Sequence, residues 1–257
     1  MADVWERRIR RADQLAAIEG PSVSLVTFYG RLLRAQKTIY RSFNGDSLSG
    51  VIEQDRARVV ERRSALLDAV IGYGPPPLAL EARRLIDSAA AATEVLLVNY
   101  WRNRSDCDFF AKALVQPYGQ WLADHGIAVA RESEPAANRC PRCGGAPQLA
   151  ILEASAPDAG GSRLLLCATC LTTWPFPRVA CPSCGEQEER QLGYFHTPAF
   201  DHVRLDACQR CRRYLKAIDL GRLGLADPLV DEIAAAPLDA WAREHDYHKI
   251  ELNLVGL

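Results

Sequence analysis

Eight of the nine cysteines in this 257-residue sequence fall in four Cys-x-x-Cys pairs. The pairs are Cys140/Cys143, Cys167/Cys170, Cys181/Cys184 and Cys208/Cys211, and adding 41 to each cysteine of the first two pairs gives the last two. The pattern reads C-x2-C-x23-C-x2-C-x10-C-x2-C-x23-C-x2-C. A tetrahedral metal ion needs four soft donors at about 2.3 Å. Two thiolates three residues apart on a tight turn supply two donors, and a second such knuckle, returned by a hairpin, supplies the others. The register therefore predicts two copies of one site: Cys140, Cys143, Cys167 and Cys170 in the first, and Cys181, Cys184, Cys208 and Cys211 in the second. The equal 23-residue arms disfavour the rival pairing of Cys167/Cys170 with Cys181/Cys184.

The opening knuckles, Cys140-Pro-Arg-Cys143-Gly144 and Cys181-Pro-Ser-Cys184-Gly185, have favourable composition. Proline fixes φ after the first ligand. Glycine after the second admits a left-handed turn, which aims backbone N–H groups at the sulfurs and spreads their charge. The closing knuckles, Cys167-Ala-Thr-Cys170 and Cys208-Gln-Arg-Cys211, lack both residues. Each copy thus has one strong and one weak knuckle in the same order, which again supports the pairing. Four thiolates leave no open coordination position, so neither site is expected to activate water. Tetrahedral sulfur suits zinc and a single iron alike, and either ion would contribute folding energy to this segment.

Hydrophobic residues make up 48%, charged residues 25%, and the net charge is -1, the profile of a globular domain with no global pull toward nucleic acid or anionic membrane. The beginning of the sequence, MADVWERRIRRADQL, lacks the apolar core of a secretory signal, and no apolar run is long enough to span a bilayer. A reducing cytoplasm is expected, where such cysteine pairs read as metal or redox sites rather than disulfides.

The first half reads as helices. Leu25, Phe28, Tyr29, Leu32, Leu33, Gln36, Ile39, Tyr40 and Phe43 follow a helical rhythm with Gln36 the one polar member, capped by Ser22 or Ser24 and ended by Asn44-Gly45. Ile9, Ala12 and Ala16 mark an earlier helix, and Val59, Leu66, Leu67, Val70 and Ile71 a later one, ended at Gly72–Pro77. Leu78–Trp101 is helical as one element or two. Ser105-Asp106 offers a cap for a helix from Phe109 to Leu122, in which Pro117 predicts a kink or break. Helical periodicity stops at about residue 125, and 126–139 reads as a linker. Beyond it, Gln148–Glu153, Arg163–Leu166, Thr173–Val179, Leu192–His196, His202–Asp206 and Tyr214–Ile218 are strand candidates, with turns at Pro157–Gly161 and Thr197-Pro198. Asp227-Pro228 and Pro237 start C-terminal helices, the second with Leu238, Trp241 and Ala242 on its apolar face.

Cys107, at the start of a helix, is expected to be a buried core thiol. With four cysteines available to each site, His196 and His202 are expected on the surface rather than on metal. Arg210, Arg212, Arg213 and Lys216 cluster beside the last knuckle, as a solvated face, as charge balance for the thiolates, or as a docking patch. Trp101, Trp121 and Trp241 are expected in the core. No nucleophile elbow, phosphate-binding glycine loop or His-Glu-x-x-His helix is present, so no catalytic constellation emerges.

The segments CPRCGGAP, CATCLTTWPFPRVACPSCGE and DACQRCRRYLKAID resemble the bacterial formate dehydrogenase accessory proteins of the FdhE type. Trp174, Arg178-Val179 and Tyr214-Leu215-Lys216 carry that resemblance beyond bare cysteine spacing. FYGRLLRAQ (28–36), ALVQPYGQWL (113–122) and Asn253-Leu-Val-Gly256 add to it. The resemblance implies an α+β multidomain chain. Its parts would be an all-α helical domain (1–125), a linker (126–139), two tandem rubredoxin-like or zinc-ribbon modules (140–180 and 181–222) and a C-terminal helical segment (223–257). It further implies a cytoplasmic, non-enzymatic maturation factor that binds the molybdenum- or tungsten-containing catalytic subunit of respiratory formate dehydrogenase. The eight cysteines would hold two metal ions, with iron preferred over zinc, in a structural or redox-sensing role. Two competitors stand beside this reading, a nucleic-acid-binding zinc ribbon and a rubredoxin-like electron carrier. The first is disfavoured because residues 140–257 hold 12 basic and 15 acidic side chains.

Overall fold

A computed structural model describes residues 3–104, 108–130, 134–153 and 162–257. The expectations for Ser105-Asp106, Cys107 and the Pro157–Gly161 turn lie outside these residues.

The predicted first helix is α1 (Val4–Ala16), and the amphipathic stripe from Leu25 to Phe43 is α2 (Val23–Ser42) with Phe43 at its end. The third predicted helix is instead two, α3 (Ile52–Glu61) and α4 (Ser64–Tyr73), turning at Arg62-Arg63. Pro76 opens α5 (Pro76–Asp87), a position where its missing N–H costs nothing. After an extended Ser88-Ala89, α6 (Ala90–Arg102) follows. Next comes α7 (Phe109–Asp124), the most buried helix, with Phe43 edge-on to both Tyr118 and Trp121.

Of the kink or break expected at Pro117, the break does not form; α7 runs through it. Proline has no N–H to give the carbonyl of Ala113. Gln36, the polar exception on α2, is 1% exposed, and its Nε2 donates to Ala113 O at 2.9 Å. A donor from a neighbouring helix thus replaces the one the proline lacks.

The second half forms one sheet. Its strands are β1 (Pro147–Leu152), β2 (Arg163–Cys167), β3 (Thr173–Pro175), β4 (Leu192–His196), β5 (Val203–Cys208), β6 (Arg213–Asp219) and the short β7 (His248–Lys249). The order is β3-β2-β1-β6-β5-β4, with β7 beside β6. Shifted by 41, β2 falls on β5 and β3 falls within β6. Each copy is an antiparallel three-stranded unit, and a parallel β1–β6 pair, Leu149 opposite Lys216 to Leu152 opposite Asp219, joins them. The predicted Thr173–Val179 strand ends at Pro175, since Pro175 and Pro177 have no N–H to extend a ladder.

Two helices, α8 (Pro228–Ala234) and α9 (Ala236–Glu244), close the fold. Arg11 of α1 makes a two-pronged contact with Asp231 of α8 (2.9 and 2.5 Å), and Gln148 of β1 donates to Glu232 at 2.6 Å. The helices of the first half and the strands of the first copy share one continuous core, whereas Val203, Leu205, Tyr214, Ile218, Leu238 and Tyr247 are among those forming a second core under the second copy. Trp101 and Trp121 are buried; Trp241 is half-buried against Phe195. Among the described residues, no helix is long and apolar enough to cross a membrane.

Candidate metal centres

Each Cys-x-x-Cys pair sits on a tight turn after which the chain reverses. In all four, the residue following the second cysteine is left-handed: Gly144 (φ 74°), Leu171 (φ 58°), Gly185 (φ 77°) and Arg212 (φ 56°). The weak closing knuckles therefore adopt the same turn as the strong ones, with side chains that tolerate it less well. The turn directs N–H groups at sulfur. Thr169 N and Cys170 N approach Cys167 Sγ at 3.3 and 3.5 Å, and Ser183 N approaches Cys181 Sγ at 3.4 Å.

The thiols gather as the 41-residue register predicts. Cys140, Cys143, Cys167 and Cys170 form one group and Cys181, Cys184, Cys208 and Cys211 another, all sulfurs of a group within 4.8 Å of one another. Sulfur–sulfur separations are 3.5 Å for Cys140–Cys170 and Cys143–Cys167, and 3.7 Å for Cys181–Cys211 and Cys184–Cys208. A tetrahedron of sulfurs about 2.3 Å from a metal has edges of about 3.8 Å. Both groups can hold a metal ion. Burial pushes the Cys167 thiol well above its ordinary value, while hydrogen bonds from Cys143, Cys167 and Cys170 pull Cys140 below it. Four thiolates cannot crowd together without a cation to stabilise them. A bound metal ion would supply that charge in place of the thiol protons.

The first group is wholly buried under α7. A Cβ on Gly119 would lie 2.8 Å from both Cα and Cβ of Cys170, so only glycine lets the helix come this close. Gln116 Nε2 donates to Ala168 O at 2.9 Å and is linked to Gln36 Nε2 through its Oε1 (3.0 Å). Tyr100 OH lies 3.4 Å from Thr169 Oγ1, and Arg104 donates to Cys143 O at 2.5 Å. Gln36, Gln116 and Gly119 thus join the helical half to the first centre.

Trp174 donates its Nε1–H to Ala137 O at 3.2 Å, tying the segment before the first knuckle to β3. Tyr214 donates to Asp239 at 2.8 Å. Lys216 is not part of a solvated face. It is fully buried, bonded to Asp239 and Glu232 O, and burial pushes its ammonium pKa down. Of the remaining basic cluster, Arg210 pairs with Glu186 (3.0 Å), Arg212 stacks on Tyr247, and Arg213 donates to Lys249 O (3.0 Å). Neither histidine joins a metal group: His202 bonds Asp231 at 2.8 Å and His196 is exposed.

The families "FdhE, central domain" and "FdhE, C-terminal domain" match residues 139–178 and 179–255. The chain is 33% identical over 195 residues to "Protein FdhE homolog" of Aquifex aeolicus, covering 74% of this chain and 68% of the relative. The chain belongs to the FdhE family. The FdhE homologs of Pseudomonas aeruginosa and Pseudomonas putida are 30% and 29% identical over 57% of this chain, and the matched region spans about half of each relative, 48% and 47%. The crystal structure of the FdhE protein from Pseudomonas aeruginosa superposes with a TM-score of 0.68 at 21% identity, covering 98% of this chain and 95% of that one. That likeness extends the common fold through the helical half, beyond the two matched domains.

Proposed function

We propose that this chain is a cytoplasmic, non-enzymatic maturation factor for a respiratory formate dehydrogenase, which it serves by binding the molybdenum- or tungsten-containing catalytic subunit. Membership of the FdhE family carries this reading. The site chemistry agrees with it. A centre with four thiolates keeps no position for a substrate or water, so its contribution is to hold a shape or an electron rather than to turn over a substrate. The helical domain (1–125), set on the first centre, would supply the docking surface.

The eight cysteines are proposed as ligands of two metal ions, with iron preferred and zinc the alternative. Metal analysis and an absorption spectrum of protein made in its native host decide between them: ferric tetrathiolate absorbs in the visible and zinc does not. A tagged chain expressed in formate-respiring cells is expected to enrich the formate dehydrogenase catalytic subunit in a pull-down. Recovery of that subunit at the level of an untagged control would refute the proposal.

A further inference from the structure

The two centres differ in what surrounds them, and the 41-residue register shows why. It aligns Gly145 with Glu186, Ala168 with Gln209, and Thr169 with Arg210. In the first copy all three residues are small and buried. A Cβ on Gly145 would stand 2.8 Å from Cys167 Sγ and 3.0 Å from Thr169 Oγ1, so the thiolates are sealed by close packing. In the second copy Gln209 and Arg210 are exposed, and Arg210 reaches across to Glu186 (3.0 Å) where the first copy has Thr169 beside Gly145. Cys184 is exposed and Cys211 half-buried, while Cys181 and Cys208 are buried. One side of the second centre therefore faces solvent through two of its four donors.

Substitution at a tetrathiolate metal requires an incoming donor to reach the ion. At the first centre nothing reaches it unless α7 lifts away, a local unfolding step. At the second, the side at Cys184 and Cys211 is open. We propose that the second centre is an exchangeable metal site, giving up its ion to small thiols or chelators that enter beside Cys184, while the first holds its ion as a fixed part of the core. This rests on the reading of the eight cysteines as ligands. In the exchange the incoming thiol would form a bond to the metal as that of Cys184 breaks, and the bonds of Cys211, Cys181 and Cys208 would be replaced in turn before the ion leaves. The proton that the incoming thiol loses would pass, through solvent, to the freed Cys184 sulfur, and no electron changes hands.

The experiment uses the full chain loaded with zinc and challenged with an excess of a chromophoric zinc chelator, with iodoacetamide labelling of released thiols mapped by mass spectrometry. The expected result is one ion released in each of two phases, the first at least about tenfold faster. Cys184 and Cys211 should be labelled during the fast phase and the four cysteines of the first centre protected. The Cys184→Ser variant should lose the fast phase and keep the slow one. Release of both ions in a single phase, or labelling of the first centre's cysteines ahead of Cys184, would overturn the proposal. A chain that binds no zinc would overturn the ligand reading together with it.

Discussion

Gln36 stands in an otherwise apolar stripe because a proline on another helix lacks a donor. Replacing it with leucine leaves the Ala113 carbonyl and the Gln116 side-chain oxygen unsatisfied in the core, a loss of about 1–3 kcal/mol measured as a fall in urea midpoint. The loss should shrink when Pro117→Ala restores the backbone N–H, a coupling that a double-mutant cycle reads directly. Gln36 was visible in the sequence as an exception, but its partner lies 77 residues away, and helical periodicity says nothing about what faces a stripe. Lys216 illustrates the same limit. A lysine beside two arginines reads as surface, and only the fold brings Asp239 and Glu232 to it. The left-handed backbone at Leu171 and Arg212 was equally hidden, because neither residue advertises a turn as Gly144 and Gly185 do.

Between elements, the contact that matters most is α7 on the first centre. Gly119→Ala places a methyl group against the Cys170 backbone, which cannot give as a flexible side chain would. Overpacking of this kind costs about 1–3 kcal/mol. The variant should melt at lower temperature, and the slow phase of zinc release should accelerate. A second contact is the clasp of α1 on α8. Burial would raise the Asp231 carboxyl, but hydrogen bonds to Arg11 and His202 outweigh it and hold its pKa below the ordinary carboxylate value. A lowered carboxyl pKa adds stability above the unfolded value, about 3.9, and that stability is lost as pH falls through the folded value. Asp231→Asn should therefore flatten the acid limb of stability below about pH 4 in denaturation series against pH. Elements with strong periodicity or strong punctuation, such as α2 and the Pro228 helix start, were legible from sequence. The split between α3 and α4 was not, because Arg62-Arg63 carries neither proline nor glycine.

Across the molecule, the two centres differ in how they relate to the cores. The first set of cysteines lies in the same hydrophobic cluster as the helices, while the second set lies in neither that cluster nor the one that β5, β6 and α9 form under the second copy. Losing the first ion should thus cost more than losing the second. Cys140→Ser is expected to destabilise helices and sheet together, with loss of far-UV circular dichroism at lower temperature. Cys184→Ser should leave the helical half protected in hydrogen exchange. The grouping of the cysteines was readable from the 41-residue register; the change from Gly145 and Thr169 to Glu186 and Arg210 lies in the same register but draws no notice until the fold places it beside the thiols. What that change signified was not readable, because the sequence does not say which copy a helix will cover.

The parallel β1–β6 pair also fixes how the two copies relate. Because β3 corresponds to β6 and β2 to β5, the copies follow one another across the sheet by a shift, like tiles in a row, rather than facing each other across a two-fold axis. A row laid this way has unlike ends. At one end β3 stops at Pro175, whose ring denies a further strand its donor; at the other, among the described residues, β4 pairs only with β5. The duplication therefore has a direction, and a further tile would be added beyond β4, not beyond β3.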